Sequence, residues 1–195
     1  MKNILYTIIL SFLFSFSVFA DWEAGNDAYM KGDYATALKE YRAAAEQGDA
    51  AAQNGLGYMY NYGRGVTQDD KEAVKWYRLA AEQGNAKAQF NLGGMYVKGV
   101  GVAQDYEEAT KWWRLAAEQG YANAQYNLAL IYGEGINVIK NYVIAHMWFN
   151  IAASNGYEDA KKGIDFLAGQ MTSEQIAEAQ KLARECIKKN YKDCG

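Results

Sequence analysis

The sequence predicts an all-α fold, a right-handed superhelix in which helix pairs stack as a solenoid. Three observations predict it. A set of residues returns after a shift of 36: Ala52-Gln53, Leu56-Gly57, Met59-Tyr60, Gly63, Gly65-Val66, Gln68-Asp69, Ala73, Trp76 and Ala80 to Gly84 recur as Ala88-Gln89, Leu92-Gly93, Met95-Tyr96, Gly99, Gly101-Val102, Gln104-Asp105, Ala109, Trp112 and Ala116 to Gly120. A fixed period of about 20–50 residues marks an array in which a unit buries its apolar face only against its neighbours. Within each unit the apolar residues fall three and four apart, which places them on one face of an α-helix. Proline is absent from all 195 residues, so glycine must supply the turns and helix stops.

Residues 1–20 differ from everything that follows. Lys2 is their only charge, Ile4 to Phe16 is apolar and aromatic, and Val18 and Ala20 are small residues where a signal peptidase reads them. We read 1–20 as a secretory signal cleaved after Ala20. The alternative is an uncleaved anchor, but the apolar run is shorter than the ~20 residues needed to span hydrocarbon. No cysteine adjoins the cleavage point, which argues against a lipoprotein. The mature chain then carries 19 basic and 23 acidic residues, a formal charge of −4. That balance excludes nucleic acid as the expected partner, since the phosphate backbone demands a basic face.

Residues 21–49 form a first unit, with Gly25, Ala28-Tyr29, Gly32-Asp33-Tyr34, Ala37-Leu38, Tyr41 and Ala44-Ala45. It looks like a tetratricopeptide unit with a shorter interhelix loop, and is expected to cap the array. Residues 50–85 and 86–121 are full repeats. Their first helices carry the stripe Ala52, Leu56, Met59, Tyr60, and their second helices Ala73, Trp76, Tyr77, Ala80, Ala81. Small residues such as Gly57 let the helices approach, and Trp76 and Trp112 are expected to fill the wider gaps. Asp69 and Asp105 are placed to cap the second helices, and Gly84 and Gly120 to stop them. Residues 122–157 form a degraded third repeat. There Ala129 replaces the repeat glycine, Asn141 replaces the capping Asp, and Gly133-Glu134-Gly135 is read as the interhelix loop. Residues 158–195 are expected to close the array with a short helix over roughly 158–169. A last helix capped by Thr172 or Ser173 follows, burying Ile176, Ala179, Gln180 and Ala183, and a tail ends the chain.

The two full repeats resemble the Sel-one-like repeat (SLR) family, an α/α relative of the tetratricopeptide repeat. The signature carried by 52–84 and 88–120 is A-x-A-Q-x-x-L-G-x-M-Y, a G-x-G-V loop, then D-x-x-x-A-x-x-W-x-x-x-A-A-x-x-G. The resemblance implies stacked helix pairs and a role in holding proteins together. Some members are linked to β-lactam binding or hydrolysis, chemistry that usually starts from S-x-x-K. Downstream of residue 20 the only serines are Ser154 and Ser173, and neither has a lysine three residues on.

The remaining candidates for chemistry are few. His146 is the only histidine, so neither a histidine metal cluster nor a Ser-His-Asp triad can form, and it is read as a packing or helix-surface residue. Glu46, Glu82 and Glu118 recur at one register position, which marks a structural or solvated site rather than paired acid and base. The Gly-x-Gly loops follow helices, not strands, and so fail the context of a dinucleotide fingerprint. No metal and no cofactor are expected. Cys186 and Cys194 are expected to form a disulfide in an exported chain, the alternative being two free thiols. Eight further residues of unbroken helix would separate their Cα atoms by about 12 Å, so the bond requires the helix to stop, and Asn190 is placed to let it. By analogy with the tetratricopeptide groove, the first helices are expected to present a concave binding face with Asn54, Tyr58 and Tyr62, then Phe90 and Lys98, then Tyr126 and Glu134. The expected function is a non-catalytic, monomeric scaffold in the periplasm, or alternatively secreted, that binds an unidentified protein or peptide. The rival classes are a weak β-lactam-binding protein or hydrolase, and a secreted factor directed at a host.

Overall fold

A computed structural model describes residues 22–194, and the expected signal segment 1–20 lies outside the described residues. The described chain is all-helical: α1 (Trp22–Met30), α2 (Tyr34–Glu46), α3 (Ala50–Tyr62), α4 (Asp70–Glu82), α5 (Ala86–Lys98), α6 (Tyr106–Ala117), α7 (Ala122–Glu134), α8 (Tyr142–Ser154), α9 (Ala160–Ala168) and α10 (Ser173–Lys188). Each odd-numbered helix from α1 to α7 pairs with the even-numbered helix after it, and each pair packs on the next. We call these the first and second helices of a repeat.

The helix starts follow from side chains that accept otherwise orphaned N–H groups. Asp33, Asp49, Asp69, Asn85, Asp105 and Asn141 each accept a backbone N–H from the first turn of the helix they precede. Thr172 and Gln175 form a reciprocal capping box at α10. The first helices of the three later repeats end at Gly63, Gly99 and Gly135, all left-handed. The next turn leans on the preceding repeat. At Gly101 (φ 71°) an added Cβ would collide with the Asp70 carbonyl, so the position tolerates no side chain. In the third repeat the register places Asn137 there, also left-handed at φ 55°. The loop reading of Gly133-Glu134-Gly135 is therefore corrected. Gly133 and Glu134 still belong to α7, and Gly135 is the counterpart of Gly63 and Gly99.

Within a repeat the core is an aromatic ring laid on a small residue. A Cβ on Gly57 would stand 2.8 Å from the Tyr77 ring, and one on Gly93 would stand 2.5 Å from Trp113. Gly25 meets Tyr41 in the same way. The ring partners of these glycines are Tyr77 and Trp113, one position after Trp76 and Trp112, the residues expected to fill the wider gaps. One residue is about 100° of helix turn, enough to point the neighbouring indole elsewhere. Trp76 packs against the preceding cluster around Tyr41, Leu56 and Met59, and Trp112 against the one around Tyr77, Leu92 and Met95.

Polar ladders tie one repeat to the next. The buried Gln53, Gln89 and Gln125 donate to the carbonyls of Ala45, Ala81 and Ala117. They accept in turn from Gln83, Gln119 and Asn155. Arg42 donates to the Tyr60 hydroxyl at 2.8 Å, and Arg78 and Arg114 do the same for Tyr96 and Tyr132. A buried amide must find partners or lose the hydrogen bonds it made to water, so these ladders fix the angle at which repeats stack.

At the far end α9 and α10 both pack on α8. α10 buries Ala179, Ala183 and Cys186, whereas Gln180 points to solvent, contrary to the expected stripe. Cys186 is bonded to Cys194 with Cα atoms 5.4 Å apart. The chain reverses through Asn190 and Tyr191, both at positive φ. The Tyr191 hydroxyl donates to Asn155 at 2.9 Å, and its ring lies over Gly120.

Candidate functional site

The first-helix face carries the residues that sequence placed there, and the structure sorts them into separate pockets. Asn54 and Tyr58 line a pocket between α1 and α3, together with Tyr29, Met30 and Tyr41. Tyr62, Phe90 and Lys98 meet in a second, between α3 and α5, with a volume of about 280 Å³. Glu134 lines a third, with Val97, Tyr106, Leu130 and Ile136. Tyr126 lines none of these three. Its ring stacks on Tyr157 at 4.5 Å and meets Phe149 at 5.3 Å, so the side chain is spent on packing against α8 and the turn after it. Phe90 is also half-engaged, with its ring against Trp113 and Tyr121.

The exposed aromatic surface is concentrated near the start of the array. Tyr58 is 38% and Tyr62 55% exposed, with ring centroids 4.4 Å apart. Tyr29 stands edge-on to Tyr58 at 5.9 Å. The Tyr29 hydroxyl is pushed up from its ordinary value, first by partial burial and then by the neighbouring Tyr58. The Tyr29 phenol therefore stays a neutral donor and acceptor at physiological pH.

Sequence reasoning missed the amides between the aromatics. Asn61, Asn91 and Asn127 line the central pocket. Asn91 and Asn127 are one period apart, a signal that was visible in the sequence. Gly55, the residue of that register in the first full repeat, lies against Tyr41, which hid the column. Asn91 donates to Asn54 at 3.0 Å, and Asn61 donates to Asp70 at 2.9 Å. The pocket's floor is the buried Tyr77, and one wall is Trp113, whose indole N–H donates to the Phe90 carbonyl at 3.0 Å.

The face holds no nucleophile with an adjacent base. His146 is buried at 1% exposure in α8, where Asn150 reaches its Nδ1 at 2.8 Å, and burial pushes its pKa below the ordinary value. Among the described residues no group of three His, Cys, Asp or Glu could hold a metal ion, and no helix is long and apolar enough to cross a membrane.

A family model described as Sel1 repeat matches residues 22–49, 50–85, 86–121 and 122–157. The structure is similar to that of a Sel1 repeat protein from Oxalobacter formigenes, with TM-score 0.71 and 34% identity over 88% of this chain and 78% of that one. It is also similar to c5321, a protective antigen of uropathogenic Escherichia coli with an SLR fold, with TM-score 0.75 and 32% identity over 89% of this chain. The match covers only 42% of the antigen's own length. No curated protein matches the chain.

Proposed function

This chain belongs to the Sel1 repeat family, whose fold commonly serves protein interaction, and from that premise we propose that it is an exported, non-catalytic scaffold that binds an extended protein segment along its first-helix face. The observation that carries the reading is the exposed pair Tyr58 and Tyr62, running into a pocket lined by amides. Aromatic side chains give large contact area for little lost rotamer freedom and are favoured binding hot spots. Amides can satisfy the N–H and C=O groups of a peptide laid between them. The formal charge of −4 on the chain after residue 20 suits a polypeptide partner better than nucleic acid. Export rests on the composition of residues 1–20, and a periplasmic monomer is the form we propose.

Crosslinking and pull-down from a periplasmic extract test the reading, with Tyr58→Ala/Tyr62→Ala as the paired control. Both side chains are exposed, so the double variant should melt within a few degrees of wild type. It should lose a partner captured by wild type, each hot-spot truncation costing ~2 kcal/mol. A partner retained by the double variant moves the site off this face. Cell fractionation of the full-length chain checks export.

A further inference from the structure

We infer that the pocket between α3 and α5 receives the C-terminal residue of a partner polypeptide, its apolar side chain on Phe90 and Trp113 and its free carboxylate on Lys98. The inference rests on the reading of the first-helix face as a peptide groove, and names which part of the partner enters it.

Gly94 lies inside α5. A glycine inside a helix costs roughly 0.5–1 kcal/mol against alanine, so its presence needs a reason. Every other described glycine inside a helix or at a turn has one of two features: a left-handed backbone, or atoms within 4 Å of where a Cβ would stand. Gly94 has neither, and a Cβ there would meet nothing. It lies in mid-α5, one period after Tyr58 and one before Leu130. Where the neighbouring repeats put a large side chain, this one leaves space, and that space is the pocket. A helix that gives up stability to keep a surface cavity open points to an occupant.

The chemistry of the lining names the occupant. Phe90, Met95, Val97 and Trp113 supply apolar walls over the buried Tyr77. A volume of about 280 Å³ falls just below the ~300–1,000 Å³ of sites that enclose drug-sized ligands, and suits one residue. Lys98 is the only charged residue of the lining, and among the described residues no carboxylate pairs with it. An ammonium in a pocket with no carboxylate of its own complements an anion, and this on a chain that is acidic overall. Asn127 makes no hydrogen bond with the described residues, and Asn91 keeps its carbonyl oxygen after donating to Asn54. One amide N–H is thus free for the second carboxylate oxygen, and one amide oxygen for a peptide N–H. An internal peptide segment offers no charge to Lys98. An Asp or Glu side chain offers the charge but leaves the apolar walls empty. A C-terminal apolar or aromatic residue satisfies both.

The test uses the protein as isolated and N-terminally labelled hexapeptide pools, random except for a final Phe or Leu, made as free acids and as amides. Binding is read by fluorescence anisotropy, with amide NMR shifts to locate it. The free-acid pools should bind at least tenfold more tightly than the amides, and should shift residues of α5 and Trp113. Gly94→Leu should abolish binding by filling the cavity, while its melting temperature stays at or above that of wild type because the added Cβ meets no atom. Lys98→Gln should reduce the preference for the acid by about tenfold. Equal binding of acid and amide pools, both lost in Gly94→Leu, would overturn the carboxylate inference and leave the groove reading intact. Tight binding of 3-phenylpropanoate, matching the peptides, would overturn the commitment to a polypeptide end. If no pool binds and Tyr58→Ala/Tyr62→Ala keeps its partner, both readings fall together.

Discussion

Gly57 is small because Tyr77 fills the place its side chain would take, and the substitution Gly57→Trp tests that contact. The indole would have to displace a ring that sits 2.8 Å from the new Cβ. Overpacking of this kind costs ~1–3 kcal/mol or more, so a circular dichroism melt should show a clear drop in midpoint. Gly94→Ala should do the reverse and raise stability by ~0.5–1 kcal/mol, since only helix propensity changes. His146 gives the molecule a pH dependence of its own. Its folded pKa is depressed by burial, so below its ordinary value of 6.5 the unfolded chain binds more protons than the folded one. The group leaves stability untouched above that value. Stability falls as pH drops through 6.5, and the loss saturates once pH is below the depressed folded value. Melts between pH 7.5 and 5 should show this slope in wild type and lose it in His146→Gln. The carboxylates Asp33 and Glu174, whose pKa values are lowered by hydrogen bonds, act in a separate window at lower pH.

Helices were legible from the sequence wherever two signals coincided. The second helices begin at capping Asp or Asn residues, and the first helices end at the repeating glycines. The phase of the second helix was less legible: Trp76 and Tyr77 are adjacent, both apolar, and only tertiary packing decides which faces Gly57. In the third repeat the loop was misread because Gly133-Glu134-Gly135 imitates Gly-x-Gly two residues out of register. The left-handed position it displaced is held by Asn137, a residue that tolerates such geometry through its short polar side chain. On the candidate site, sequence placed Tyr58 and Tyr62 on an accessible face but could not tell that Tyr126 is consumed by Tyr157. That contact spans two helices whose turn geometry the sequence leaves open. Phe90 is partly spent in the same way, so Phe90→Ala should lower the melting temperature as well as any affinity. At the last element, the bond between Cys186 and Cys194 closes a loop with a sequence separation of 8. Intact-mass analysis should find both thiols blocked until a reductant is added. Reduction should cost no more than ~2–3 kcal/mol, because a short loop constrains the unfolded chain little. The loss should appear first in amide exchange at the end of α10, where the tail holds Tyr191 against Asn155.

Across the whole molecule, stability is distributed over interfaces between repeats, each stitched by one Gln-to-carbonyl hydrogen bond and one Arg–Tyr bond. Excising residues 86–121 removes one full repeat and joins Asn85 to Ala122, with Asn85 taking the place Tyr121 holds before α7. The shortened chain should fold with proportionately less helix and a lower melting midpoint, because nearest-neighbour terms dominate such arrays. A melt with no cooperative transition would show that the repeats are not equivalent modules. A stack of like units also has two complementary ends, and a head-to-tail contact between copies does not close on itself but grows into a filament. The α8 surface that would accept another molecule's α1 is occupied by α10, with Ala183 and Cys186 buried in the cluster that holds Trp148 and Ile151. The disulfide-pinned tail holds α10 in that place, so the clasp that stops one helix fraying should also keep the far end of the array closed to a second copy.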